Sequence, residues 1–173
     1  AEAAAVSIKD GRGLLLAGNH IDKAANGAGI RLSGTLQDVA IVGNVIADGG
    51  RNGVQIDGTT AGLILRANVI TGNGGAGVTL GRATCVKVQG NIIAQNATTG
   101  LKLNASGGAL IAGNAILGNG SAGIEVQAQT GLAPVVLSDN VLSRNREGLR
   151  AAGLGEVELR GNDLAAQTPR QFA

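Results

Sequence analysis

The chain has 173 residues, of which 30 are Gly and 14 are Asn, with no Trp, Tyr or Met and a single Phe. Gly at more than twice its average usage of about 7% argues against a helical bundle, since each helical Gly costs about 1 kcal/mol relative to Ala. A 44% hydrophobic and 15% charged composition excludes a solvated disordered chain, and two Pro without a Gly at every third position exclude collagen.

The formal net charge is +2 and no basic run occurs, so there is no electrostatic footprint for nucleic acid. One cysteine, Cys85, rules out an intrachain disulfide. The longest apolar runs are a few residues long, far from the roughly 20 residues of a membrane span. The core must be built from aliphatic side chains, 19 Leu, 14 Val and 13 Ile.

The chain opens on Ala1-Glu2-Ala3-Ala4-Ala5. This small-residue segment fits either the mature side of a signal-peptidase cut or an interdomain stretch. Val6-Ser7-Ile8 then reads as the last strand of a coil whose earlier part is missing. From there a repeat takes over. A Gly-Asn or related pair follows a short apolar strand at Gly18-Asn19, Gly43-Asn44, Ala67-Asn68, Gly90-Asn91, Gly113-Asn114, Asp139-Asn140 and Gly161-Asn162. Between these anchors comes Gly-apolar-x-apolar: Gly29-Ile30-Arg31-Leu32, Gly53-Val54-Gln55-Ile56, Gly77-Val78-Thr79-Leu80, Gly100-Leu101-Lys102-Leu103 and Gly123-Ile124-Glu125-Val126. A looser copy stands at Gly148-Leu149-Arg150-Ala151.

Period-two alternation is the strand signature, and strands this short cannot pair within one unit. Stacking the units pairs equivalent strands in parallel, about 4.8 Å apart. The inward residues are then Leu14 and Leu16, Val39 and Ile41, Leu63 and Leu65, Val86 and Val88, Ile111, Val135 and Leu137, and Val157 and Leu159. Two residues after each Asn lie Ile21, Ile46, Ile70, Ile93, Ile116, Leu142 and Leu164. Asn tolerates left-handed backbone and carries both a donor and an acceptor. Stacked at one corner, Asn19, Asn44, Asn68, Asn91, Asn114, Asn140 and Asn162 form a hydrogen-bonded ladder. Five residues later a second column holds Asn73, Asn96, Asn119 and Asn145.

From about Val6 to Leu164 these repeats resemble the right-handed parallel β-helix repeats of the pectate-lyase-like superfamily, in arrays of the carbohydrate-binding and sugar-hydrolase (CASH) type. The resemblance implies an all-β solenoid of about seven coils in one domain spanning residues 1–173, or a segment of a longer β-helix. Residues 1–5 and 165–173 are the candidate caps, with Phe172 plugging the last coil. A leucine-rich repeat has a similar period and a recurrent Asn, but its Leu-x-x-Leu-x-Leu pattern has no place for the Gly-apolar-x-apolar strand.

The superfamily includes lyases, hydrolases, epimerases, phage tailspikes and structural arrays, so membership implies no one chemistry. The Asn-Thr-Asp, Asp-Asp and Gly-His-Gly motifs of polygalacturonase-like hydrolases are absent, as is the Asp-Pro-His-Asp of mannuronan epimerases. The Asp residues are dispersed about one per coil, as turn residues are. The outward position of the Gly-apolar-x-apolar strand reads Arg31, Gln55, Thr79, Lys102, Glu125 and Arg150. Lys102, Glu125 and Arg150 are therefore neighbours and the weak catalytic candidates, with Lys or Arg as a base on a uronic-acid polymer. The plainer account is a charge ladder that keeps a solvated face soluble. His20 has no partners for a metal site or a triad, and no cofactor motif occurs. Cys85 sits in a turn beside nothing that would activate a thiolate. Of three Asn-x-Ser/Thr sequons, at Asn96, Asn104 and Asn119, two fall on the second ladder and would be inaccessible.

One feature is unexpected in a solvated solenoid. The outward residue after each anchor Asn is aliphatic in five successive coils: Val45, Val69, Ile92, Ala115 and Val141. A second outward column adds Leu15, Ala40, Ile64, Leu110 and Val136, interrupted by Lys87. An apolar strip of this length marks a covered side, whether by a second subunit, a neighbouring domain or a terminal segment; otherwise the corner turns these residues partly inward. Two functions follow. One is a non-catalytic rod or interaction domain of an extracellular, periplasmic or virion-surface protein. The other is a polysaccharide lyase or epimerase-type enzyme acting on an acidic polymer.

Overall fold

The computed structural model describes residues 4–164 and Gln167, and is an all-β parallel solenoid of about six turns. The seven coils expected from the anchors are close to this. The seventh contributes the strand Val157–Arg160 to one sheet, but only a single bridge between Val141 and Asp163 to the other. Every strand pairing is parallel and joins one coil to the next. Three-residue strands His20–Asp22, Val45–Ala47, Val69–Thr71, Ile92–Ala94, Ala115–Leu117 and Val141–Ser143 stack into one six-stranded sheet. The Gly-apolar-x-apolar strands and the strands before each anchor belong to a twelve-stranded sheet. They are joined within it by long bent strands such as Ile30–Val42 and Leu101–Ala112.

The core is the set of inward columns read from the alternation. Val39, Ile41, Leu63, Leu65, Val86, Val88, Ile111, Val135 and Leu137 are fully or almost fully buried, and so are Ile46, Ile70, Ile93 and Ile116. The end coils depart from the expectation. Leu14, Leu16 and Val157 are only half-buried, while Leu159 and Leu164 are 53% and 41% exposed. An inward side chain is covered only where a coil stacks on both of its sides, so the outermost columns lack half their neighbours. Of the caps expected at residues 1–5 and 165–173, only Ala4, Ala5 and Gln167 are described, and Phe172 lies outside the described residues.

Both Asn columns form, and their bonding is more extensive than side-chain stacking alone. Along the anchor column each Asn Nδ2 donates to the Oδ1 of the next coil's Asn at 2.8–3.0 Å, from Asn19 through to Asn162. The same Oδ1 accepts the preceding Asn's backbone N–H at 2.9–3.1 Å. The second Nδ2 proton goes back to a strand carbonyl of the previous coil, as from Asn68 to Ile41 and from Asn91 to Leu65, both 2.8 Å. These amides are buried, yet their donors and acceptors are matched coil by coil, as burial of polar groups requires. The second column repeats the device at Asn73, Asn96, Asn119 and Asn145 with 2.9–3.0 Å side-chain bonds. Gln167, five residues after Asn162, reproduces the column's backward bond by donating to Leu142 O, the carbonyl equivalent to the Ile116 O that Asn145 reaches. The sequence reading missed this rung because its residue is Gln rather than Asn.

The two recurrent Gly columns exist for different reasons. Gly90, beside its anchor Asn, has φ +61° and open space where a Cβ would project, so its need is purely conformational. Gly77, before its strand, needs room instead. A Cβ there would lie 2.5 Å from Ile93 Cγ2 and 2.8 Å from the Asn96 amide nitrogen, so this backbone can stack against the ladder only as Gly. Ala67 breaks the anchor pattern and is held at φ +53°. The left-handed region costs an L-residue about 1–2 kcal/mol, while Gly loses about 0.5–1 kcal/mol in entropy. Ala67→Gly is therefore expected to stabilise the protein by about 0.5–1 kcal/mol in urea denaturation.

Removing Asn91 strands the buried backbone and side-chain donors of Asn68, each worth about 1–3 kcal/mol when unsatisfied. Asn91→Ala is accordingly expected to cost about 3 kcal/mol or more. Asn19→Ala, at the exposed end of the same column, costs under about 1 kcal/mol, because water replaces its single side-chain bond. Equal losses at the two positions would contradict the ladder's role.

Candidate functional site

The outward positions of the Gly-apolar-x-apolar strands form one strip, because the register sets Arg31 beside Gln55, Gln55 beside Thr79, Thr79 beside Lys102, Lys102 beside Glu125, and Glu125 beside Arg150. Side-chain bonding divides this strip at Thr79. On the C-terminal side, Lys102 Nζ lies 2.8 Å from Glu125 Oε1, and Arg150 Nη1 lies 3.4 Å from Glu125 Oε2. Arg150 Nε also donates to Glu147 Oε2 at 3.0 Å. Glu147, which the sequence reading did not single out, lies on the same strand as Arg150, three residues earlier. On the N-terminal side a second network runs from Asn52 Nδ2 to Gln55 Oε1 at 3.3 Å, and from Gln55 Nε2 to the Asp57 carboxylate at 2.8 Å. Arg31 Nε reaches the same carboxylate at 2.9 Å. A shallow concavity of about 530 Å³ beside this second network is lined by Asp57, Thr59, Arg82 and Asn104.

The three weak catalytic candidates are thus brought together, but as an ion-paired chain. The Arg150 guanidinium is held above its ordinary range, first by its hydrogen bond to Glu147 and by that carboxylate's charge, then by Glu125. That direction opposes service as a base, which needs a lowered value. Among the described residues no group of three or more His, Cys, Asp or Glu side chains could hold a metal ion. His20 stands exposed at the start of the six-stranded sheet. Cys85 is exposed at φ +53°, inside the strand Ala83–Gln89 rather than in a turn before it. Asn96 and Asn119 of the sequons are buried in the second ladder.

The two aliphatic columns are both outward, but they lie on different sheets. Val45, Val69, Ile92, Ala115 and Val141 run along the six-stranded sheet, with Ile92 and Val141 46% and 43% exposed. Leu15, Ala40, Ile64, Lys87, Leu110 and Val136 run along the twelve-stranded sheet. The Gly-Asn corner between them, with Gly43 exposed and Asn44 buried, turns the chain. The single apolar side expected from sequence is therefore two strips separated by a corner.

Comparison with known proteins places this geometry in a family. The family model described as "Right handed beta helix region" matches residues 2–91 and 50–166, and the chain belongs to that family. No curated protein matches it. The solved structure of the periplasmic alginate epimerase AlgG is similar at 19% identity and a TM-score of 0.70, covering 91% of this chain and 40% of that one. A point variant of that epimerase gives 0.72 at 19% identity, covering 95% and 44%. The catalytic domain of Agl-KA gives 0.56 at 13% identity, covering 91% and 41%. The chain spans under half the length of these proteins, and at such identities the likeness is one of fold.

Exposed ion pairs contribute little, because water screens them and their long side chains must be ordered. Lys102 and Glu125 have side chains 34% and 12% exposed. A double-mutant cycle on the two by urea denaturation is expected to give a coupling of about 1 kcal/mol or less, shrinking further at high salt.

Proposed function

We propose that the chain is a non-catalytic β-helix rod or interaction domain of an exported, surface or phage-type protein. The observation that carries this reading is the state of the strip's cations. Lys102 and Arg150 are both bound to Glu125, and Arg150 is further locked to Glu147. A base for proton abstraction from a uronic acid must be able to give up its own proton, and the contacts of Arg150 stabilise its charged form. Aromatic platforms, which commonly bind sugar rings, are closed to a chain whose one aromatic residue is Phe172. Export is supported by likeness of fold to an enzyme described as periplasmic.

A second reading rests on a specific observation. The fold is shared over 91% of the chain with an alginate epimerase, and Lys102, Glu125 and Arg150 do gather on one outward strip. On this reading the chain is a lyase or epimerase-type enzyme for an acidic polysaccharide, or part of one.

The two are separated by incubating the protein with a panel of uronic-acid polymers, with and without Ca²⁺. Unsaturated-product absorbance reports lyase action, and NMR of the C5 configuration reports epimerisation. The rod reading predicts no change in either signal. Turnover that is lost in Lys102→Ala or Arg150→Ala, with an unchanged thermal melt, would overturn it.

A further inference from the structure

We infer that Asn26 is a site of spontaneous covalent modification, at which the backbone nitrogen of Gly27 displaces the side-chain amide and leaves aspartate and isoaspartate. Four Asn-Gly pairs occur in the chain, at Asn26-Gly27, Asn52-Gly53, Asn73-Gly74 and Asn119-Gly120. Gly is the most permissive follower for such an attack, because no Cβ screens its nitrogen. In sequence the four pairs are alike. The fold separates them.

The reaction balances with water as its only co-reactant. Solvent hydroxide takes the proton of the Gly27 nitrogen, which bonds to Asn26 Cγ. The Cγ–Nδ2 bond breaks, ammonia leaves, and a five-membered succinimide closes. Water then opens the ring at one of its two carbonyls. Opening at Cγ restores the original backbone with an aspartate side chain. Opening at the main-chain carbonyl routes the backbone through Cβ and Cγ as isoaspartate. Either way an amide becomes a carboxylate, and the net charge of +2 falls by one.

Two groups must therefore be free to move: the Asn amide, which swings over the next nitrogen, and that nitrogen, which gives up its hydrogen bond. Three of the pairs restrain both. Asn73 and Asn119 are buried rungs of the second ladder, with Nδ2 donating to the next Asn at 2.9 and 3.0 Å. The N–H groups of Gly74 and Gly120 donate to Gly49 O and Asn96 O of the preceding coil, at 2.7 and 3.0 Å. Asn52 is half-buried; its Oδ1 accepts the Ala76 N–H at 2.8 Å and its Nδ2 donates to Gln55. The Gly53 N–H is held by Ala76 O at 2.9 Å.

Asn26 has neither restraint. It is exposed in the turn between the strands His20–Asp22 and Ile30–Val42, and its amide has no hydrogen-bond partner among the described residues. The Gly27 N–H reaches only Ala24 O of its own turn, at 3.5 Å, beyond the usual range of about 2.7–3.2 Å. Gly27 is itself buried, so hydroxide meets its N–H when the turn opens. Ala25, Asn26 and Gly27 make no backbone bond to another coil, and such an opening leaves both ladders intact.

Cleavage after Lys and Arg puts the four pairs in separate peptides, 24–31, 52–66, 67–82 and 103–144. The native chain is incubated in mildly alkaline buffer and, in parallel, in urea. Mass spectrometry then follows the conversion of amide to acid in each peptide. In urea the four pairs are expected to react at similar rates. In the folded chain Asn26 stays within about tenfold of its unfolded rate, as a turn that opens readily allows. The other three fall by about a hundredfold or more, since each bond that must first break slows the reaction roughly ten- to a hundredfold. Acidic charge variants that accumulate in the native chain on isoelectric focusing are expected to disappear in Asn26→Ser. A folded-state rate at Asn26 as low as those at Asn73 and Asn119, or acidic variants that persist in Asn26→Ser, would overturn the inference.

Discussion

Everything in this solenoid depends on how the corner amides are satisfied. A chain that turns with its side chain pointing inward must bury a polar group, and a buried amide without partners costs several kcal/mol. The anchor Asn resolves this only by stacking. Its Oδ1 takes two N–H groups from the coil on one side, and its Nδ2 donates to both neighbouring coils. Each coil therefore completes its neighbours and cannot be complete alone. The requirement for a constant rise of one strand spacing per turn follows from this.

Other features follow from that stack. The Gly before the strand is small at Gly53, Gly77, Gly100 and Gly123 because the ladder amide and an aliphatic side chain from the neighbouring column already occupy the space. Short aliphatic side chains suffice for the core because each inward residue packs on its equivalents above and below, leaving no span for an aromatic ring to fill. The outer surface is then a set of straight columns, in which chemistry is written one residue per coil. Such a surface can present a long strip, polar or apolar, far more readily than a concave site. Here the polar strip closes on itself through Glu125 and Asp57, while the apolar strip on the six-stranded sheet is left facing outward.

The columns themselves were legible in the sequence, because Gly-Asn and Gly-apolar-x-apolar recur with the coil and alternation assigns each side chain a face. Three things were not. Gln167 occupies a ladder position but is spelled differently, and only the shared carbonyl target reveals it. The two aliphatic strips looked like one side, because alternation says "outward" without saying which way a corner has turned the chain in between. The Asn52–Gln55–Asp57–Arg31 network joins residues from a turn, a strand and the preceding coil, a combination that no single periodicity marks. The candidate site was readable as a set of neighbours at Lys102, Glu125 and Arg150. Their mutual neutralisation depended on side-chain geometry and on Glu147.

The central claim is that the anchor amides are locked in a continuous hydrogen-bonded stack, and side-chain hydrogen exchange reads it directly. In ¹⁵N-resolved NMR after transfer to D₂O, the Nδ2 protons of Asn68, Asn91 and Asn114 are predicted to persist on the timescale of the strand backbone amides. Those of Asn26, which is exposed, are predicted to vanish at once. Ladder amides exchanging as fast as Asn26 in a folded protein would contradict the account.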